Sequence, residues 1–283
     1  MIVVPAARDE FLSLMQATYG SAMAPAEFDW WFDGNPSGPR ILNAAHDDDG
    51  TPLGAAAMSC ARMNQGLAGF AVHIMTAPEA RGRGVFSTLE LHNEEQAGAA
   101  GAGWALGFTN PAAGPIYVGK LGWEDVTSLR IWVRPKRLRR RGVGGLRVHS
   151  GIPRTDEQRL VPGDAHHIVR DPQYLNWRYA ESPRAYAQVD EVIVTHAVWH
   201  GFSSAVICES GSASSLRNAI AAVDSDIAVA MVNPGEERTY LAAGFVPSPR
   251  KIRFIGKRLR EDAAPLPKRR DAWRFSLGDL DFF

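Results

Sequence analysis

Two pairs of matching landmarks, in the same order, constrain this chain more than any other feature. "WWFDGNPSGP" begins at Trp30 and "WRYAESPRAY" at Trp177; setting Trp30 on Trp177 also sets Phe32 on Tyr179 and Pro36 on Pro183. Further on, "NPAAGPIYVGKLGW" begins at Asn110 and "NPGEERTYLAAGF" at Asn233. Each has a tyrosine seven residues later (Tyr117, Tyr240), then Gly122-Trp123 or Gly244-Phe245. The first offset is 177 − 30 = 147 and the second 233 − 110 = 123, so the second copy is 24 residues shorter between its landmarks. A repeat this long predicts two similar folds in tandem.

Within each copy, strand-like and helix-like stretches alternate. "RILNAAHDDDGTPLGAAAMSCARM" reads as a hairpin about the polar turn "DDDGTP". "AGFAVHIMTA" is a strand, "RGRGVFSTLELHNEEQAGAAG" a glycine-led helix, "WALGFT" a strand, "PAAGPIYVGKLG" a short helix and "SLRIWVRP" a closing strand. The second copy supplies a hairpin over 187–210, a helix at "SLRNAIAAV", a strand at "DIAVAMV", a short helix at "GEERTYLAAG" and a last strand at "KIRFIGKRL". Alternation of this kind predicts α/β or mixed α+β units. The expected division is 1–136, a basic glycine-rich linker at 137–150, a second domain at 151–260 and a tail at 261–283.

One turn carries chemistry. In "PEARGRGVF", residues 78–86, Gly82 and Gly84 allow positive φ and close backbone approach to a ligand. A helix begins near Val85, and helix N-termini favour phosphate through unpaired N–H groups and the dipole. Arg81 and Arg83 add charge in a geometry suited to phosphate, and Ser87 and Thr88 add hydroxyl donors. A pyrophosphate fits. The sequence lacks the Gly-Lys-Ser/Thr ending of a Walker loop, and no G-x-G-x-x-G follows the strand. Taken alone, the turn also reads as structural, with two solvated arginines.

"TAPEARGRGVFSTL" resembles the acyl-CoA pyrophosphate loop of the GCN5-related N-acetyltransferases, Q/R-x-x-G-x-G/A, with Arg81 first and Gly84 fourth. Phe86 stands where that pattern has Gly or Ala. "GFTNPAAGPIYVGKLGW" resembles the family's next strand and helix. The likeness covers about residues 1–135; the second copy matches the framework without the loop. The resemblance implies two tandem folds of this kind, each a central mixed sheet flanked by helices, with acetyl-CoA as co-substrate and no metal. It further implies that Ile74, Met75 and Thr76 offer backbone groups to pantetheine. Asn110 would face the same arm, although asparagine is equally a good helix cap. Residues 81–87, with Val85 and Phe86, would hold the pyrophosphate.

Acetyl transfer to an amine needs a proton removed from the ammonium and a proton for the leaving thiolate. A late-helix tyrosine often supplies the second in this family. Tyr117 is the nearest candidate, though four residues separate it from Gly122 where the family has three, which puts Val118 in the strict position. His73 is the one titratable residue of the preceding strand, with an ordinary pKa near 6.5 suited to a base. Strict alternation would place Val72, Ile74 and Thr76 on one face and His73 and Met75 on the other. Asp279 and Asp281 are alternative bases if the tail folds back, as is a water relay. Tyr117 and His73 both also read as packing residues.

Bulk properties exclude other classes. Lys+Arg and Asp+Glu are both 31, so no overall field favours nucleic acid or a membrane. Arg134, Lys136, Arg137, Arg139, Arg140, Arg141 and Arg147 read as a solvated linker or an anion site. Cys60 and Cys208 read as buried strand residues, His166-His167 lacks zinc spacing, and Trp30-Trp31 reads as core. The N-terminus lacks signal-peptide character, so a cytoplasmic protein is expected, as monomer or homodimer. The expected acceptor is a small-molecule amine, such as an amino sugar. A non-catalytic acyl-CoA-binding protein, another acyl donor or a hydroxyl acceptor are the alternatives.

Overall fold

The computed structural model describes residues 1–136, 144–146 and 151–280. Two compact units emerge, one from Met1–Val126 with Phe254–Lys268, the other from Thr127–Arg253 with the stretch from Arg269 onward. The units are therefore interleaved along the chain. The first boundary falls inside a strand rather than in the basic stretch 137–150, much of which lies outside the described residues. Residues 261–283 are also no separate tail, since they divide between the two units.

In the first unit β1 (Ile2–Pro5), β2 (Ile41–His46), β3 (Pro52–Met63) and β4 (Gly66–Thr76) form an antiparallel run, and β5 (Trp104–Thr109) joins β4 in parallel. Helix α1 (Arg8–Tyr19) and the short α2 (Pro25–Phe28) lead into a π-helix, Asp29–Asp33. Its Trp30, Trp31 and Phe32 are buried, as the sequence reading expects of the tryptophans. Phe11, Phe28 and Phe32 form a ring cluster with centroids 4.9–5.6 Å apart. Helix α3 (Val85–Ala99) packs on β2, β3 and β4. The run Gly54-Ala55-Ala56-Ala57 permits close packing there, because even a Cβ on Gly54 would meet the Met75 carbonyl at 2.5 Å and Val85 at 2.9 Å. Tyr117 on α4 (Gly114–Lys120), Trp123 and Ile255 share a core with Met58 and Ala97. The returning segment is bound in as well, since Leu259 N–H donates to the Gly103 carbonyl at 2.9 Å and Trp104 Nε1 to the Ala264 carbonyl at 2.7 Å.

β6 (Glu124–Pro135) carries the chain into the second unit, where a two-residue ladder joins β7 (Gly145–Leu146) to a later strand. There α5 (Pro172–Leu175) leads into a second π-helix, Asn176–Ala180. β8 (Tyr186–Val189), β9 (Val192–Trp199) and β10 (Phe202–Glu209) are antiparallel neighbours. After α6 (Ala213–Ala221) come β11 (Val223–Asp224), the partner of β7, and β12 (Ile227–Met231), parallel to β10 and antiparallel to β6. Helix α7 (Glu237–Ala242) and β13 (Val246–Arg258) follow. Trp132, Val194, Ile207, Leu216, Tyr240 and Phe245 lie in its core.

Both sequence landmarks have matching local structure. Each proline-led four-residue helix is followed directly by a five-residue π-helix holding Trp30 or Trp177. Tyr117 and Tyr240 are buried on short helices, followed by Gly122 (φ 72°) and Gly244 (φ 88°). Cys60 and Cys208 are buried free thiols, as expected, and burial pushes them up to about 11 and about 12. Among the described residues no helix is long and apolar enough to cross a membrane, and no cluster of metal-ligating side chains occurs.

Candidate functional site

β4 and β5 pair only from Ala68–Trp104 to Phe70–Leu106, yet run on to Thr76 and Thr109. Beyond Phe70 the ladder stops, which leaves backbone groups of β4 facing a gap that opens toward the 78–86 turn. β4 also bulges here. Ala55 pairs with Met75 and Ala57 with Val72, so Ala56 stands opposite two residues, His73 and Ile74. His73 takes the extra position with φ 49°, in the left-handed region that bulges exploit.

That bulge corrects the alternation expected from sequence. Val72 pairs with Ala57 and Met75 with Ala55, two residues apart on one face of β3, so they do not lie on opposite faces. His73 is partly exposed, and its ring makes edge contacts with Phe11 (6.3 Å) and Phe32 (6.2 Å). The Ile74 carbonyl already accepts a 2.7 Å hydrogen bond from the Tyr19 hydroxyl at the end of α1. Thr76 is partly exposed.

A short 3-10 turn, Pro78–Ala80, precedes the glycine-arginine stretch. Gly82 (φ 80°) and Gly84 (φ 81°) are left-handed, and a Cβ on either would meet nothing within 4 Å, so the backbone there is open to an approaching group. Arg81 and Arg83 are exposed on either side of Gly82. Thr88 N–H bonds the Gly84 carbonyl at 3.0 Å, while the amides of Val85, Phe86 and Ser87, one turn earlier, have no intrahelical acceptor. The Val85 side chain packs in the core with Leu53, Ala56 and Leu89. Phe86 has a definite place: its ring lies edge-on to Tyr117 at 5.2 Å, so it packs against α4. These residues fit a diphosphate.

Asn110 is exposed, and its side-chain carbonyl accepts from the amides of Ala112 and Ala113, both at 2.9 Å. It therefore organises the turn into α4. Tyr117 is 4% exposed, with its ring against Phe86 and 4.4 Å from Trp123. Burial, with Glu90 and Glu94 nearby, raises its pKa well above the ordinary tyrosine value. Asp279 is excluded as a base, because its carboxylate is fully buried 2.6 Å from Arg170 in the second unit; Asp281 lies outside the described residues.

Sequence reading missed a buried polar cluster on the inner face of α3. Glu94 accepts from Trp123 Nε1 at 2.6 Å and from Lys257 Nζ at 2.5 Å, and Lys257 also donates to the Leu121 carbonyl. Glu90, one turn earlier, is fully buried; the Tyr117 hydroxyl lies beside its carboxyl without closing a hydrogen bond of ordinary length and angle. Only the helical period of "STLELHNEEQ", setting Glu90 and Glu94 on one stripe, could have pointed there.

The corresponding place in the second unit is built differently. β10 and β12 pair from Ser204–Ile227 to Val206–Val229 and then part. At the head of α6 the Glu191 carboxylate accepts from Ser212 N–H at 2.6 Å and Ser215 Oγ at 3.0 Å, bonds that lower its pKa. Across the ends of β10 and β12 lies the chain's last segment. Phe275 N–H and Arg270 donate to Asn233 Oδ1, and Arg178 Nε donates to the Gly278 carbonyl at 2.7 Å. A cavity of about 270 Å³ remains, walled by Arg159, Arg170, Glu209, Glu236 and Arg274. Lys136 is no solvated linker residue, since its ammonium bonds the Ile220 and Val223 carbonyls; Arg137, Arg139, Arg140, Arg141 and Arg147 lie outside the described residues.

No family model matches the sequence, and no curated protein is significantly similar to it. Solved structures are similar in fold. A GCN5-related N-acetyltransferase from Anabaena variabilis matches with TM-score 0.57 and 11% identity, over 92% of this chain and 73% of that one. One from Kribbella flavida matches with TM-score 0.54 and 16% identity, over 91% and 72%. Eis1 from Mycobacterium abscessus matches with TM-score 0.58 and 14% identity, over 93% and 75%. The chain carries the GCN5-related N-acetyltransferase fold.

Proposed function

We propose that this chain is an acyl-CoA-dependent N-acyltransferase, using acetyl-CoA on the primary amine of a small molecule by direct transfer. One observation carries the reading: the open left-handed pair Gly82 and Gly84, flanked by Arg81 and Arg83, opens α3 beside the gap between β4 and β5. Loop amides and arginines there would hold the pyrophosphate, while Met75, Thr76 and Asn110 would face the pantetheine arm. Ile74 would contribute its carbonyl only by sharing it with Tyr19.

For the reaction, the amine nitrogen attacks the thioester carbon and the carbon–sulfur bond breaks. His73, at the bulge, is the proposed acceptor of the ammonium proton. Tyr117 is the proposed donor to the thiolate. The second unit is proposed as a degenerate copy that shapes the protein without binding coenzyme, since Glu191 occupies the head of α6.

Calorimetric titration with acetyl-CoA, followed by free-thiol release over a panel of amines, tests this. One site per chain and thiol release with a subset of amines is the expected result. Binding without release across amines and alcohols would leave a non-catalytic acyl-CoA-binding protein, and two equivalent sites would remove the assignment of roles to the units.

A further inference from the structure

Charge counting beneath the loop leaves one carboxyl over. Glu90 and Glu94 lie a turn apart on the buried face of α3, and Lys257 is the cation beside them. That ammonium is committed to Glu94, which also takes the Trp123 indole. Both Glu90 oxygens are buried with no hydrogen-bond partner. A carboxylate in that position would be a buried charge beside the Glu94 charge, which the Tyr117 hydroxyl and the shared Lys257 offset only in part, so it keeps its proton instead. The same conclusion follows from burial and the Glu94 charge, which push Glu90 up to about 8.

A protonated carboxyl is a donor. The polar group that Glu90 faces is the Tyr117 hydroxyl, on a ring held between Phe86 and Trp123. If Glu90 donates to the phenol oxygen, the phenol's own proton must point elsewhere. If Glu90 is ionised, the phenol turns to donate to it.

We propose that Glu90 is the positioning residue for Tyr117, turning the phenol proton away from α3 so that it is available to the leaving thiolate. This rests on the acyltransferase reading above. In the step, nitrogen bonds to the thioester carbon, the carbon–sulfur bond breaks, and sulfur takes the Tyr117 proton. The nitrogen's proton passes to His73 and on to solvent, which returns one to the phenolate. The titratable and charged groups facing Glu90 are Glu94 on its own helix, Tyr117 on α4 and Lys257 on β13. Raising pH ionises Glu90, draws the phenol proton inward and ends its use as a donor.

The test compares the full-length chain with Glu90→Gln and Glu90→Leu. With acetyl-CoA and an accepted amine, wild-type kcat falls as pH rises past about 8. Glu90→Leu lowers kcat about tenfold at neutral pH, less than the roughly 10²–10⁴-fold that outright loss of a general acid costs, with acetyl-CoA affinity unmoved. Glu90→Gln, whose amide still donates, restores part of that loss and removes the alkaline fall. Infrared spectroscopy gives a readout independent of activity: a protonated-carboxyl stretch at neutral pH, lost in Glu90→Gln and shifted in Tyr117→Phe. Should Glu90→Leu not fold, the wild-type and glutamine profiles decide. An alkaline fall unchanged in Glu90→Gln, or no protonated-carboxyl band that depends on Glu90, overturns the proposal. Absence of thiol release by wild type with every amine overturns the acyltransferase reading instead, and the infrared bands then decide whether the pair exists.

Discussion

Glu191 stands over Ser212 at the head of α6, its carboxylate 2.6 Å from the amide that an anion would otherwise claim. The Glu191 backbone lies between β8 and β9, so the second unit supplies its own negative charge to the helix terminus. In the first unit the equivalent cap position is Gly84, in the open glycine loop, where no carboxylate among the described residues is bonded to the head of α3. The difference is local and electrostatic, since helix N-termini stabilise one such charge within their first turn.

One coenzyme site per chain follows. Calorimetry should give a stoichiometry of one, and Glu191→Ala should leave that number unchanged, because Arg81 and Arg83 have no counterpart at Ser210–Ser212. Appearance of a second site in Glu191→Ala would show that the carboxylate alone was blocking it.

Variants at the loop should separate strain from charge. Gly84→Ala meets open space but must hold φ 81°, a cost of about 1 kcal/mol for a residue with a Cβ. Gly84→Asp adds a like charge where the proposed pyrophosphate would sit and should abolish binding. Replacing Arg81 and Arg83 together with alanine should weaken acetyl-CoA by about tenfold or more, since hydrogen bonds to charged groups contribute about 1.5–3 kcal/mol. Calorimetry on variants that melt like wild type checks all three.

Ending the chain at Lys268 should unfold the second unit. Trp273, Phe275, Leu277 and Leu280 are each 1% exposed, and such side chains stabilise by about 1.5–3 kcal/mol apiece. Together they rival the entire stability of an ordinary domain, about 5–15 kcal/mol. Losing them also strips the Gly278 and Leu280 carbonyls from buried Arg178. Circular dichroism of the truncated chain should show the loss; an unchanged melting profile would contradict it.

Stability should fall as pH rises, because of Glu90. Its folded pKa, about 8, lies above the unfolded 4.5, so the folded state holds the extra proton between those values. The stabilisation is fully present below pH 4.5 and is lost progressively toward pH 8, on the order of 3–5 kcal/mol in all. Thermal melts of wild type against Glu90→Gln should converge at low pH and diverge at high pH, with glutamine the more stable. Parallel curves would mean that Glu90 ionises normally.

Much of this architecture was legible from local pattern. The hairpin turn "DDDGTP", the glycine-arginine loop and the two tryptophan landmarks all announce themselves through residue type and spacing. The bulge at His73 does not, because "GFAVHIM" is an unbroken strand in composition and only the Ala55–Ala57 partner reveals the extra residue. Glu90 was hidden for a related reason: a glutamate reads as solvated until its neighbours are known, and Tyr117 and Lys257 come from distant segments. Asp279 failed as a base for the same cause, since its partner Arg170 is not a sequence neighbour. Long-range pairing, rather than local propensity, decided each of these.

The return of Phe254–Lys268 to the first unit has a consequence for biosynthesis. A ribosome that has released the first 126 residues has made the loop, α3 and α4, but not Ile255 or Lys257, which close the core around Tyr117 and neutralise Glu94. Folding of nascent chains commonly proceeds from the N-terminal domain forward. Here the N-terminal unit must wait until Phe254–Lys268 has been translated, so a chain ended before that segment would never display a finished loop-bearing unit.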